Sequence, residues 1–444
     1  MKTLLIPKQV ITANPNDDIL TNTAVEIFDD TISDLIDLSN FDKKNYEGEI
    51  LEFPNLTLIP GFIQTHVHLC QTLFRGLADD LELLDWLSKK IFPFENAHSP
   101  ESLRASAKLG IAELQKGGTT TIVDMGTLRH EQVIFEELNH SGMRAFAGKC
   151  LIDQNSLFPE FSESTSEGLK SVNELANEFH DSGDGRLKYA FSPRFVLSCT
   201  EALLKESFEM SKDHTGSIYH THSSENKDEI KAVWDLHRMG NIEYFSSIGV
   251  LGESTLLAHC IHVDEYEQAI LSDTGTRVMH CPSTNLKLGS GIANIPKYLN
   301  IGINVSLGAD GPPCNNNLSI FNEMKLAAMI QKPFRGATSM NARDVFRMAT
   351  INGAEAVGLA DETGSIEINK KADLVLLDLN GVGHPLTDEN LYSTIVYACD
   401  VNSVKEVMIN GQWIVKEKNL LNYDESEIVA EGKTELSKLL NRIN

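Results

Sequence analysis

What this chain has least of is positive charge. Its 38 lysines and arginines stand against 63 aspartates and glutamates, a formal net charge of −25. A surface of that sign repels a phosphate backbone, which excludes nucleic acid as a partner. Long apolar runs are missing too, and no stretch reaches the roughly 20 residues that a membrane span needs. The opening "MKTLLIPKQVITANPNDD" turns polar too soon for a secretory signal. Seven cysteines (Cys70, Cys150, Cys199, Cys260, Cys281, Cys314 and Cys399) never fall in CxxC spacing. That scatter points to reduced thiols in a cytoplasmic protein.

What remains is an ordinary globular composition, with 41% hydrophobic and 23% charged residues. At 444 residues the chain has room for one large α/β domain and a smaller one. The first sixty residues read as short β segments with polar turns: "TLLIPKQVITA", "TAVEIFDDTISDLIDL" and "EILEFPNLTLIPGF". From about residue 56 the rhythm changes to strand, loop, helix, repeated. The expected strands are "LTLIPGFIQTHVH", "GTTTIVDMG", "MRAFAGKCLID", "LKYAFSPRF", "SIYHTHSSE", "TLLAHCIH", "TRVMHCPSTN" and "INVSLGAD". Helical stretches lie between them, among them "SPESLRASAKLGIAELQKGG", where Ser99 and Pro100 form a cap and first turn. Eight strands alternating with helices over about 300 residues predict a (β/α)8 barrel. A doubly wound sheet fits less well, because no glycine-rich dinucleotide loop follows the first strand. After residue 360 the text returns to strands and turns. The expected organisation is therefore a barrel over 59–360 beside a small β-sandwich composed of 1–58 and 361–444.

Functional groups of a parallel barrel gather at the C-terminal ends of its strands. In chain order those ends carry His66 and His68, Asp124, Asp153, Arg194, His222 with Glu225, His259, His280 and Asp310. Side chains at i and i+2 of a strand share a face, so His66 and His68 aim at one point. Three imidazoles and a carboxylate suit one divalent metal ion of zinc type (Zn2+), with a position left for water. Such an ion lowers the pKa of water toward neutrality, and Glu225, three residues past His222, stands where a general acid/base would shuttle the proton. His220 shares a face with His222 but lies one layer lower, roughly 6.6 Å down the strand. His280 reads as a pocket or packing residue, His237 and His262 as solvated, and Cys260 and Cys281 as small buried fillers.

In this order, "PGFIQTHVH", "HTHSSE", "LLAHC" and "SLGAD" resemble the amidohydrolase superfamily. The resemblance covers essentially the whole chain, including β segments split between the termini. Its single-metal branch includes purine and pyrimidine deaminases and triazine hydrolases. Carried over residue by residue, it implies that His66, His68, His222 and Asp310 bind the metal. It makes Glu225 the proton shuttle and His259 the residue that orients the attacking water. No strand-end lysine is placed to become the carboxylated bridge of the two-metal branch. A metal-free scaffold is the alternative of another class, and the intact H-x-H pair and Asp310 speak against it.

On substrate the motifs divide. Gln71 in "HVHLCQ" and the Arg194–Phe195 pair in "SPRFVLSCTE" resemble guanine deaminase, where such residues hold the purine. An amide and a guanidinium read ring nitrogens and oxygens, while Phe195 stacks on the face. "HCPSTNLKLGSGIANIP", "SLGADGPPCNNNLSIFNEMKLAAMIQK" and "RMATINGAEAVGL" resemble instead the deaminases of S-adenosylhomocysteine, methylthioadenosine and 5'-deoxyadenosine, and also the triazine chlorohydrolases. "WLSKKIFPFE" adds Trp86 and Glu95, the latter an acceptor for ribose hydroxyls, and "LRHEQVIF" adds His130 near a ribose. The expectation is a hydrolytic deaminase of an adenosine derivative, with a guanine-type substrate or a triazine as alternatives. The partner is thus a small heterocycle, with no nucleic acid and no membrane, and the expected assembly is a homo-oligomer, a dimer or a tetramer.

Overall fold

The computed structural model describes residues 2–380 and 386–443. Eight parallel strands follow one another around a barrel: Phe62–Val67, Thr119–Asp124, Arg144–Ala147, Leu187–Pro193, Ile218–Ser223, Thr255–His259, Arg277–His280 and Val305–Leu307. The third is continued by Cys150–Leu151, which pairs with the fourth. Strand eight returns to strand one through the Thr65 and Ser306 hydroxyls, 2.7 Å apart, and through the Asp310 N–H donating to the His66 carbonyl. The strands are buried on both faces because helices cover the outside and packed side chains fill the inside.

The two ends of the chain meet in a second, mixed sheet. Its path runs Asn419–Leu420, Gln412–Lys416, Val404–Ile409, Leu374–Leu377, Glu49–Pro60, Lys2–Ile11, Thr23–Phe28, Thr31–Asp37. Leu5, Val25, Ile27 and Leu58 from the N-terminal wing are buried with Leu374, Leu376 and Met408 from the C-terminal wing. This is the small β-sandwich, composed of both termini.

Two expectations change. The run "LTLIPGFIQTHVH" is not one strand. It divides at Gly61, with Glu49–Pro60 paired to Leu374–Leu377 and Phe62–Val67 starting the barrel. A Cβ at position 61 would run into the Thr120 side chain, so only glycine lets the chain cross there. The N-terminal sheet accordingly extends to Pro60, past the expected boundary at 58. The C-terminal segment is also more than strands and turns, since it holds the helices Leu391–Tyr397 and Glu425–Ile443. In the latter, Ile428, Gly432, Glu435 and Leu439 are buried at helical spacing. Gly432 brings the helix against Leu109 of the barrel helix Pro100–Lys116. That barrel helix begins as expected, with Ser99 capping it and Pro100 in its first turn. Among the described residues no helix is long and apolar enough to cross a membrane, and all seven cysteines are free.

Candidate metal and catalytic centre

Strand register assembles the donors. His66 lies on strand one, His68 just beyond it, His222 on strand five and Asp310 after strand eight. One ligand atom from each of these four lies within 4.8 Å of all the others. His66 Nε2 and His68 Nε2 are each 3.3 Å from Asp310 Oδ1, and His68 Nε2 is 3.3 Å from His222 Nε2. His66 Nε2 is buried with no hydrogen-bond partner. Lone pairs packed this closely need a cation among them, so the donor set fits one divalent ion.

Neighbours set the imidazole tautomers. His222 Nδ1–H donates to the Arg194 carbonyl at 2.7 Å, leaving Nε2 as a lone pair for the site. His66 Nδ1 bonds His220 Nε2 at 2.9 Å, which makes His220 the support under a donor, one layer down as the spacing predicts. Burial pushes the His66 pKa down to about 4 and those of His222 and His220 well below their ordinary value, so these rings are neutral.

Glu225 and His259 face this cluster. His259 Nε2 is 3.6 Å from Glu225 Oε2 and 3.9 Å from Asp310 Oδ2. Its Nδ1 bonds Asn285 Oδ1 at 3.0 Å, which turns Nε2 into the cavity. Asn285 carries no titratable group, and its place in "HCPSTN" was the only sequence signal for it. His259, Asp310 and Ser224 all have positive φ (73°, 62° and 52°), a conformation costing about 1–3 kcal/mol per non-glycine residue. Strain gathered at three strand ends around one cavity marks a functional site. Burial raises the Glu225 carboxyl to about 7, near the range where an acid/base is most effective.

The other strand-end groups have different tasks. Asp124 accepts from the Leu69 and Gly126 N–H groups and shapes the loop after strand one. Asp153 bonds Thr165 and Thr200. His280 is buried away from the cavity wall. His237 stacks on Tyr244 and His262 bonds the Ser290 carbonyl, so neither is simply solvated. Lys149, just past strand three, spends its ammonium on the Leu128 carbonyl and Glu163.

A cavity opens over the cluster. Gln71, Trp86, Arg194 and Phe195 line it as expected, together with Leu83, Leu87 and Leu288, which the sequence reading missed. The leucines carry no polar signature to single them out. Trp86 Nε1 is a buried donor without a partner, and Gln71 Oε1 a buried acceptor without one. Trp86 leads into a π-helical turn, Leu87–Ile91, a distortion frequent at functional sites. Glu95 departs from expectation, for it lies behind the wall rather than on it. It clamps Arg194 with two bonds of 2.7 and 3.2 Å and accepts from Gln71 Nε2 at 2.8 Å. The Arg194 guanidinium also lies 5.0 Å from the Phe92 ring centre. His130 is outside the cavity wall.

A closed parallel barrel with this donor set at its mouth has the architecture of a metal-dependent hydrolase. The chain belongs to the amidohydrolase family, whose model matches residues 57–414. It is 34% identical over 424 residues to the 5'-deoxyadenosine deaminase of Methanosphaera stadtmanae, covering 95% of this chain and 96% of that one. It is 33% identical over 425 residues to the 5-methylthioadenosine/S-adenosylhomocysteine deaminase of Thermoanaerobacter pseudethanolicus, covering 96% of each. Among solved structures it superposes on an adenosine deaminase from Xanthomonas campestris with bound zinc, with a TM-score of 0.92 at 27% identity, covering 99% and 98% of the two chains.

Proposed function

We propose that this protein is a metal-dependent hydrolytic deaminase acting on an adenosine derivative such as 5'-deoxyadenosine, methylthioadenosine or S-adenosylhomocysteine. The observation that carries the reading is the convergence of Glu225, His259 and four metal-type donors on one cavity. Full-length similarity to adenosine-type deaminases supports the substrate class. The ion in this reading is zinc, as in the Xanthomonas campestris enzyme.

His66, His68, His222 and Asp310 would hold the ion, which supplies Lewis-acid chemistry and lowers the pKa of water toward neutrality. His259, fixed by Asn285, orients the attacking water toward the ring carbon that bears the amine. Glu225 takes the proton from that water and delivers it to the ring nitrogen, giving a tetrahedral adduct. Glu225 then takes the remaining proton of the added hydroxyl and passes it to the amine; the C–N bond breaks, ammonia leaves and the hydroxyl oxygen becomes a ring carbonyl. Burial raises this carboxyl toward neutrality, which suits a group that both takes and gives a proton. Phe195 and Trp86, which line the cavity, are the aromatic rings available to stack on the base.

The test is ammonia release from the zinc-loaded protein against purines, purine nucleosides, pterins and triazines. Release from 5'-substituted adenosines is the expected result. Metal-loaded protein that frees no ammonia from any of them would overturn the deaminase reading.

A further inference from the structure

Glu229 sits in the wall of the same cavity, is 2% exposed, and has no part in the chemistry above. Its Oε2 accepts from the Glu225 N–H at 2.9 Å and from the Asn226 N–H at 3.4 Å, and Oε1 accepts from Asn241 Nδ2. Some of this is ordinary helix capping, since Asn226 and Glu229 form a reciprocal box at the start of Lys227–His237. Other boxes in the chain cap a helix without touching the cavity: Glu267, boxed with Asp264, is buried and reaches the Ile242 N–H away from it, and a plainer box is formed by Ser164 and Glu167. There the glutamate is exposed and bonds only the cap residue itself. Glu229 differs in two ways. It is buried against the reacting cavity, and its shorter backbone bond goes to Glu225, one residue before the cap.

We propose that Glu229 is the positioning residue of the proton shuttle: by accepting the Glu225 N–H it fixes the turn that aims the Glu225 carboxylate at His259. The turn needs fixing because Ser224, just before it, is held at a φ of 52°. The carboxylate of Glu229 also places a negative charge behind Glu225. The other charged and titratable groups facing Glu225 are His259, Asp310 and Arg194, and those facing Glu229 are Glu225 and His259. The proposal rests on the deaminase reading, in which Glu225 moves the protons.

The test compares Glu229→Leu and Glu229→Gln in the zinc-loaded enzyme on 5'-deoxyadenosine. Leucine fills the space but accepts no hydrogen bond, so kcat should fall about a hundredfold, the cost of misplacing a reacting group by about 1 Å. KM and zinc content should stay at the parent values. Glutamine should restore kcat, because its oxygen accepts the Glu225 N–H and its amide can donate to Asn241 Oδ1, which has no partner here, once the Asn241 amide, whose Nδ2 now faces Glu229, turns over. It should also move the acid limb of the kcat/KM profile to lower pH, since a negative charge beside Glu225 is gone. Parent-like kcat in the leucine variant, a loss confined to KM, or a glutamine variant as damaged as the leucine one would overturn the proposal. If the leucine variant does not fold, an acid limb unmoved in the glutamine variant overturns it. A parent enzyme without ammonia release is a separate outcome: it removes the deaminase reading, and this proposal falls with it.

Discussion

Two buried arginine–carboxylate pairs in this molecule are nearly identical in chemistry and opposite in place. Arg144 meets Asp373 with bonds of 2.6 and 3.1 Å, and Arg194 meets Glu95 with bonds of 2.7 and 3.2 Å. In both, the arginine side chain is 3% exposed and the carboxylate 0%. Arg144 opens strand three at the barrel's lower end, where Asp373 precedes a strand of the terminal sheet. Arg194 follows strand four at the upper end and lines the cavity. A residue at the lower end of such a barrel bears on stability, and one at the upper end bears on chemistry. The same ion pair should therefore fail in two different ways.

The largest effect belongs at the upper end and spares the fold. His68→Ala and Asp310→Asn each remove a donor from a cluster whose atoms lie within 4.8 Å of one another. Both variants should lose bound zinc and measurable turnover, while the denaturant midpoint of the metal-free protein stays close to that of the parent apoprotein. Elemental analysis of the purified variants decides the point; stoichiometric zinc in both would dissolve the ligand assignment.

Next comes Glu225→Gln, which should keep its zinc and lose about 10²–10⁴-fold in kcat, the usual contribution of a general acid/base. The pH profile adds a sign. In the proposed mechanism Glu225 acts first as a base, so kcat/KM should fall as the pH drops through its pKa. Burial raises the free carboxyl to about 7, and the positive charge of a bound ion pulls it down again, which puts the acid limb below 7. In the glutamine variant the residual activity should lose that limb. A limb that survives the substitution would assign it to another group.

At the lower end, Arg144→Met leaves Asp373 buried without its partner. Breaking one side of a buried pair costs about 3–5 kcal/mol. Asp373 keeps the Asn410 N–H, so the loss should fall toward the low end of that range. Urea unfolding should show it, with kcat/KM of the still-folded fraction at the parent value. A fall in kcat/KM at full folding would erase the contrast between the two ends.

The contrast also explains what could be read from the sequence. The proposed metal donors follow from strand register: His66, His68, His222 and Asp310 sit at fixed places on strands that alternate with helices, and strand periodicity is a local signal. The far wall of the cavity is made differently. Trp86, Leu83, Leu87 and Glu95 come from one excursion after strand one, and Leu288 from another after strand seven. Whether Glu95 faces the cavity or stands behind it depends on how that excursion folds, which no spacing encodes. Glu95 could be flagged from sequence but not oriented. The helix Glu425–Ile443 was missed for another reason. Its buried positions include Gly432 and Glu435, so its packing face carries too few apolar residues to announce itself.

The smallest effect separates substrates. Arg194 is held by Glu95, and Gln71 gives its Nε2 to the same carboxylate while its Oε1 lies over Gly311 without a partner. The wall therefore presents a neutralised guanidinium beside a bare acceptor. A guanine-type base would need the Arg194 donors for its carbonyl, whereas an adenosine derivative has no carbonyl on its ring and brings ribose hydroxyls that donate. Losing a hydrogen bond to a charged donor costs about 1.5–3 kcal/mol, roughly ten- to a hundredfold in kcat/KM. Arg194→Met and Gln71→Leu should be measured on adenine, 5'-deoxyadenosine, methylthioadenosine and guanine, with urea unfolding in parallel. The adenosine reading expects the two nucleosides to lose activity and adenine to be spared. Loss confined to guanine would transfer the site to an oxopurine. Loss of stability without loss of kcat/KM would make Arg194 behave like Arg144, and the upper pair would then be a structural clamp that happens to border the cavity.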